Sequence, residues 1–306
     1  MKLTSLLTFI TLLLLVSACE RKSSGSESEK IIIVTTTGMI QDAAQQVAGD
    51  LAEVTGLIGP GVDPHLYKAS QGDLEKLTGA DVVFFNGLHL EGKMGEVLEK
   101  LGKRKPVVAV SQNIPDSLLR TAPGFAGAHD PHIWFDVRLW KNAVQAVGDF
   151  LSTQFPAHDS TFRSNTLRYL TRLDSLDAAI RVRLQEIPPA QRVLITAHDA
   201  FGYFGDAYGI EVRGLQGIST LSEFGLRDVT AMVQFIIDRK IKAIFVESSV
   251  SPRSIQAVVE GCKKKGWEVR IAASLYSDAM GAKGTPEGTY TGMVMANVNS
   301  ITEALR

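Results

Sequence analysis

The chain is 306 residues long, 45% hydrophobic and 21% charged, with 27 Gly and 11 Pro; this excludes a wholly disordered, collagen-like or coiled-coil protein and leaves room for about two ordinary domains. Its 32 basic and 33 acidic residues give a formal charge of -1, so no basic excess exists to neutralise phosphates and nucleic acid is not an expected partner. Two cysteines, Cys19 and Cys262, cannot build a disulfide framework or a cysteine-based zinc site.

The N-terminus opens on Met1-Lys2 and an uncharged stretch from Leu3 to Ala18. At about 1.5 Å per residue this falls short of the roughly 30 Å hydrocarbon core, so residues 1–18 are expected to be a signal peptide rather than a membrane span. The stretch closes on Val16-Ser17-Ala18-Cys19, which resembles the lipobox of bacterial lipoproteins and makes Cys19 the expected lipidation site. From Glu20 to Lys30 there is no apolar residue to bury, so 19–30 reads as a flexible tether between the lipidated Cys and a soluble folded part. Removing residues 1–18 takes away one charged side chain, Lys2, and moves the formal charge from -1 to -2. Cys262 is then the remaining thiol, expected to be structural or inert. The location implied is extracytoplasmic, lipid-anchored to a bacterial membrane.

Beyond the tether, strand-length apolar runs alternate with helical patterns. Ile31–Thr37, Ala52–Gly59, Asp81–Gly87 and Pro106–Ser111 are nearly continuous in apolar character, as parallel strands buried on both faces should be. Met39–Ala48 is helical, with Ile40, Ala43, Ala44 and Val47 on one face. Strand signals then stop for about fifty residues. Val137–Phe155 predicts an amphipathic helix ended by Pro156. A second helix starts at Asp159 or Ser160 and runs to about Ile187, with Leu167, Leu170, Leu173, Leu176, Ile180, Leu184 and Ile187 at spacings of three and four, before Pro188-Pro189 stops it. The second half resumes the alternation with strands at Val193–Ala197, Glu211–Leu215, Ala243–Glu247 and Val269–Ala273, and helices at Asp228–Asp238 and Ser254–Lys265. The pattern predicts an α/β protein with two parallel four-stranded sheets: an N-terminal α/β lobe over 31–155, a long rigid linking helix within 156–190 and a C-terminal α/β lobe over 191–306.

Ligands of open α/β sheets bind beyond the carboxyl ends of the strands. Four loops there carry the chemistry: Gly61–Tyr67, His129–Asp136, Ala197–Gly202 and Leu275–Gly281. Asp-Pro-His occurs in the first two, each time with an aromatic residue two positions after the His, and Pro fixes the backbone ahead of the imidazole. His65, His132, His198 and Asp278 therefore make a four-donor cage for a divalent transition metal. Nitrogen and oxygen donors favour zinc or manganese over calcium, which takes an all-oxygen shell. Asp136, Asp199 and Glu247 are candidates to orient the imidazoles through their second ring nitrogen. His89, His129 and His158 lack that context; His129 reads as a surface residue or an auxiliary collector, His158 as solvent-facing.

Val62–His65, Asp130–Asp136, Thr196–Phe204, Phe245–Ser249 and Tyr276–Gly281, in this order, resemble the zinc- and manganese-binding solute-binding lipoproteins of bacterial ABC importers, the TroA-like members in particular. The resemblance runs over nearly all of the mature chain. It implies two (β/α) lobes bridged by the long helix and a metal in the inter-lobe cleft, with the ligand positions on His65, His132, His198 and Asp278. It also implies an ABC importer permease as partner, a monomer, and no enzymatic activity. His at the third ligand position is common in zinc binders. The long His-rich loop of many zinc-dedicated members is missing, since only Thr121–His129 precedes the second ligand.

The function expected is capture of zinc or manganese as cargo and delivery to the importer. The Irving–Williams order favours zinc in raw affinity, and the spanning helix limits lobe closure to a few degrees by analogy with shear motions. Two alternatives compete: a zinc-dependent hydrolase, with Glu247 or Asp199 as base, or a receptor of the same fold for a haem or siderophore chelate.

Overall fold

The first five-residue strand, β1 (Ile31–Thr35), is buried on both faces and sits centrally between β2 (Ala52–Gly56) and β3 (Val82–Phe85). A computed structural model of the chain describes residues 30–122, 127–221 and 224–306. The expected signal peptide over 1–18, Cys19 and the expected tether up to residue 29 lie outside the described residues. With β4 (Val107–Ala109) the first sheet has the order β2-β1-β3-β4, all parallel. Helices α1 (Gly38–Ala48), α2 (Gln71–Gly79) and α3 (Gly95–Gly102) supply the crossovers. Ser70 starts α2 with a reciprocal capping box, its Oγ accepting from Asp73 N while Ser70 N donates to Asp73 Oδ2.

The second half contains β5 (Val193–His198), β6 (Glu211–Gln216), β7 (Ala243–Glu247) and β8 (Arg270–Leu275), with α6 (Gly202–Tyr208), α7 (Leu226–Asp238) and α8 (Arg253–Lys264) between them. The four strands are hydrogen-bonded as two parallel pairs, β5–β6 and β7–β8, with β5 and β7 side by side. A bulge between Ile244 and Val246 breaks the register of the second pair.

Two helices, α4 (Val137–Gln154) and α5 (Asp159–Leu184), separate the sheets. At about 1.5 Å per residue the 26 residues of α5 span about 39 Å. Its buried stripe is Phe162, Thr166, Tyr169, Leu173, Leu176, Ile180 and Leu184. Leu167 is 68% exposed and so lies off the expected stripe, while Phe162 and Tyr169 carry the burial at the N-terminal end. Gly148 on α4 lets the two helices touch: a Cβ there would lie 2.3 Å from Thr166 Oγ1.

Polar ties fix α5 to both halves. Tyr169 OH donates to Asp42 Oδ2 at 2.7 Å and Asn165 Nδ2 to Val47 O at 2.9 Å, both on α1. Arg183 Nε donates to Asn299 Oδ1 at 3.1 Å on α9 (Tyr290–Leu305), a helix the periodicity did not single out. One hydrophobic cluster accordingly runs from Ile33 through Leu173 to Ile301, and Ile31–Arg306 forms one compact unit. Among the described residues no helix is long and apolar enough to cross a membrane.

Candidate metal centre

Both Asp-Pro-His tripeptides fold the same way. His65 N donates to Asp63 Oδ1 at 2.8 Å, and His132 N donates to Asp130 Oδ1 at 3.0 Å. Each carboxylate closes a turn on the residue two positions ahead, and the intervening Pro restricts φ. They differ in what else the carboxylate holds. Asp130 Oδ1 also lies 2.7 Å from His132 Nδ1, whereas Asp63 Oδ2 accepts from Thr220 Oγ1 at 2.6 Å.

The other two residues come from strand ends of the second half. His198 is the last residue of β5 and Glu247 the last of β7. His198 N donates to Glu247 Oε1 at 2.8 Å, and His198 Nδ1 lies 2.5 Å from Glu247 Oε2. Asp278 follows β8 in a loop pinned from two sides. Asn297 on α9 exchanges hydrogen bonds with the Tyr276 backbone at 2.9 and 2.7 Å, and Trp134 Nε1 donates to Ser277 O at 3.0 Å. Tyr290 OH in turn donates to Trp134 O at 2.8 Å.

These supports bring His65, His132, His198 and Asp278 together, with one donor atom from each mutually within 4.8 Å. All four residues are at most 1% exposed. Asp278 Oδ1 lies 3.4 Å from His132 Nε2, and Oδ2 lies 3.2 Å from His198 Nε2 and 3.7 Å from His65 Nε2. The three Nε2 atoms and both Asp278 oxygens are buried without a hydrogen-bond partner. Buried polar atoms are nearly always paired, and a convergent set of imidazole nitrogens and carboxylate oxygens fits a bare divalent cation. Donor atoms mutually within 4.8 Å leave room between them for a single ion, not for a porphyrin or siderophore chelate. Four protein donors also fill a tetrahedron and leave no open position for an activated water.

Electrostatics separate the imidazoles. Burial lowers the His65 pKa to about 3, with His132 and His198 opposing its charge further and Asp278 only partly compensating. For His132, burial acts downwards, but the charge and hydrogen bond of Asp130, aided by Asp278, raise it to about 9. Burial is likewise outweighed at His198, held well above the usual imidazole range by Glu247 and Asp278. Burial would raise Asp278, yet His198 and His132 hold it well below the usual carboxylate range.

Of the three orienting candidates, Glu247 touches an imidazole as described. Asp136 does not: its Oδ1 accepts from Arg138 N and Leu139 N and caps α4. Asp199 is placed near Arg120, Asp130 and His132, where burial raises its carboxyl pKa, and among the described residues it makes no hydrogen bond to an imidazole. The residue that sequence reasoning missed is Asp130. The repeated tripeptide was its signal, since the same Asp precedes both Pro-His pairs. His89 and His129 line a cleft of about 570 Å³ that reaches His65, with His129 Nε2 3.8 Å from Asp116 Oδ1. His158 sets its ring edge on Phe162, and Cys262 is buried in the second-half core.

Comparison with known proteins agrees with this architecture. The manganese-binding lipoprotein MntA of Bacillus subtilis (strain 168) is 52% identical over 291 residues, covering 95% of each chain. The zinc-binding protein TroA of Treponema pallidum (strain Nichols) is 48% identical over 276 residues, covering 90% of this chain and 89% of TroA. The solved structure of periplasmic zinc-binding TroA from Treponema pallidum superposes with a TM-score of 0.86, covering 90% of this chain and 99% of that one. The model of the ZnuA family, zinc-uptake complex component A, periplasmic, matches residues 33–304. The chain belongs to the ZnuA family.

Proposed function

We propose that this chain is the extracytoplasmic binding component of an ABC importer, holding one divalent transition metal ion, zinc or manganese, as cargo on His65, His132, His198 and Asp278. The observation that carries the reading is the set of buried, unpartnered Nε2 and carboxylate oxygen atoms converging on one point. Asp130 and Glu247 each face the Nδ1 of an imidazole, which fixes the ring and leaves Nε2 to face the ion. Burying a divalent cation requires that strong donors replace its water shell and that charge be neutralised. Asp278 does both at first hand. The protein captures and delivers; it is not an enzyme.

The relatives described above include a manganese-binding lipoprotein and a zinc-binding protein. Three imidazoles favour zinc in equilibrium affinity by the Irving–Williams order, while availability and the permease select the cargo in the cell. Cys19 is the proposed lipid anchor, with 1–18 removed, 19–30 as tether, and a monomer of two lobes, 31–155 and 191–306, joined through 156–190.

The test is elemental analysis of chelator-stripped protein reloaded with zinc and manganese in competition. The reading requires one equivalent of metal, with zinc in excess over manganese at equal concentration. No stoichiometric metal under any loading would sink it.

A further inference from the structure

The segment after β6 reaches from the second half onto the loop that carries His65. Gln216 Nε2 donates to Thr220 O at 2.8 Å, and Leu221 N to Ser219 Oγ at 3.3 Å, so the turn is internally braced. Ile218 anchors it by burial. From this strap Thr220 Oγ1 donates to Asp63 Oδ2 at 2.6 Å, across 157 residues of chain. A Cβ at Gly92 would lie 3.5 Å from Leu221 Cδ1 and 3.8 Å from the His65 carbonyl, so Leu221 comes close to the His65 loop there. Ser219 and Leu221 line the cleft that reaches His65, together with His89, His129 and Pro131.

We infer that Thr220 is a positioning residue for metal retention: its hydroxyl latches the strap to Asp63, whose other oxygen holds the His65 turn, so the ion escapes when this hydrogen bond opens. The inference rests on the metal-binding reading above. Asp63 is shared between two jobs, and that sharing gives the latch its effect. Oδ1 fixes the backbone of a ligand and Oδ2 ties the same loop to the opposite half of the protein. Swinging the strap away therefore both opens the cleft wall and loosens the turn under His65. A hydroxyl donating to a carboxylate at this distance is charge-assisted and among the stronger hydrogen bonds available to a neutral side chain. Thr220 Oγ1 donates to Asp63 and is not one of the four proposed ligands, so its loss leaves the donor set intact.

The experiment compares the full chain with Thr220→Val, Thr220→Ala and Thr220→Ser. Zinc release into excess chelator is followed by stopped flow, and the cobalt-loaded spectra report coordination. Both Thr220→Val and Thr220→Ala should keep one equivalent of metal and the parent cobalt spectrum while releasing zinc about tenfold faster, the scale of one hydrogen bond to a charged group. Thr220→Ser, which keeps the hydroxyl, should stay within about twofold of the parent. Release at the parent rate in Thr220→Val and Thr220→Ala would overturn the latch, and so would a Thr220→Ser rate as fast as theirs. A parent that binds no stoichiometric metal would overturn the metal-binding reading and the latch with it.

Discussion

The two Asp-Pro-His loops start from one tripeptide and one turn, yet they do different work. In the His132 loop the Asp130 carboxylate reaches forward to the imidazole, and its second oxygen lies 3.5 Å from Arg120 Nε. Arg120 in turn pairs with Asp206 on α6 in the second half. In the His65 loop the carboxylate leaves the imidazole alone and its second oxygen goes to Thr220. Both imidazoles are buried, but Asp130 and Asp278 raise the His132 pKa to about 9, while burial lowers that of His65 to about 3. The pair shows that a repeated motif specifies backbone geometry, while the neighbours brought in by the fold decide the electrostatics.

The comparison can be broken most strongly at the residue that both loops face. Asp278→Ala removes the one anionic donor common to His65 and His132, and should weaken zinc binding about several-hundredfold, as expected when one of four ligands is lost from a site of 10–16 kcal/mol; competition with a fluorescent chelator measures this. A pH series separates the loops without mutation. His132, raised to about 9, carries a proton in the metal-free protein below that pH, and the proton must leave when the ion binds. His65, lowered to about 3, has none to lose. Affinity should therefore fall as pH falls below about 9, by about a hundredfold between 9 and 7 for the proton displaced from His132 and more steeply still with the proton on His198, which is also held well above the usual imidazole range. A flat profile over that range would mean that neither Asp130 nor Glu247 holds its imidazole charged.

Asp130→Ala should lower affinity by about thirtyfold, within the range for losing a carboxylate behind a metal-bound imidazole, and should also make the profile above pH 7 shallower, leaving the contribution of His198. Asp63→Ala should cost only about tenfold, mostly in the release rate, and leave the profile steep. Equal effects of the two substitutions on the pH profile would erase the distinction between the loops. The smallest effect belongs to Asn86→Ala. Asn86 Nδ2 donates to Pro131 O at 2.9 Å and to Gly87 O at 3.1 Å, so its side chain braces the His132 loop and not the His65 loop. An affinity loss of about threefold is expected for that neutral bond.

The four side chains that the structure brings together were legible in the sequence because strand ends, Pro and His are local features. His198 ends a six-residue strand that is buried throughout, and Pro64 and Pro131 mark the two turns. Their supports were harder to read. Glu247 stands at a strand end and could be nominated, but Asp136 stands at a helix start, and capping won there. Asp130 was hidden because it stands in the same tripeptide as Asp63, and only the fold decides which of the two carboxylates also faces its imidazole. Asn297 and Tyr290 sit on α9, far along the chain from anything they hold. In the long helix, spacing alone credited Leu167, but burial follows the partner surfaces of α1, α4 and α9, and these select Phe162 and Tyr169. The pairing of the second-half strands likewise depends on contacts between distant segments, which periodicity does not encode.

X-ray absorption at the zinc edge of the loaded protein tests the cage itself. The account predicts one ion per chain in a four-coordinate shell of three imidazole nitrogens and one carboxylate oxygen at about 2.0–2.1 Å. An all-oxygen six-coordinate shell, or a sulfur ligand from Cys262, would contradict it.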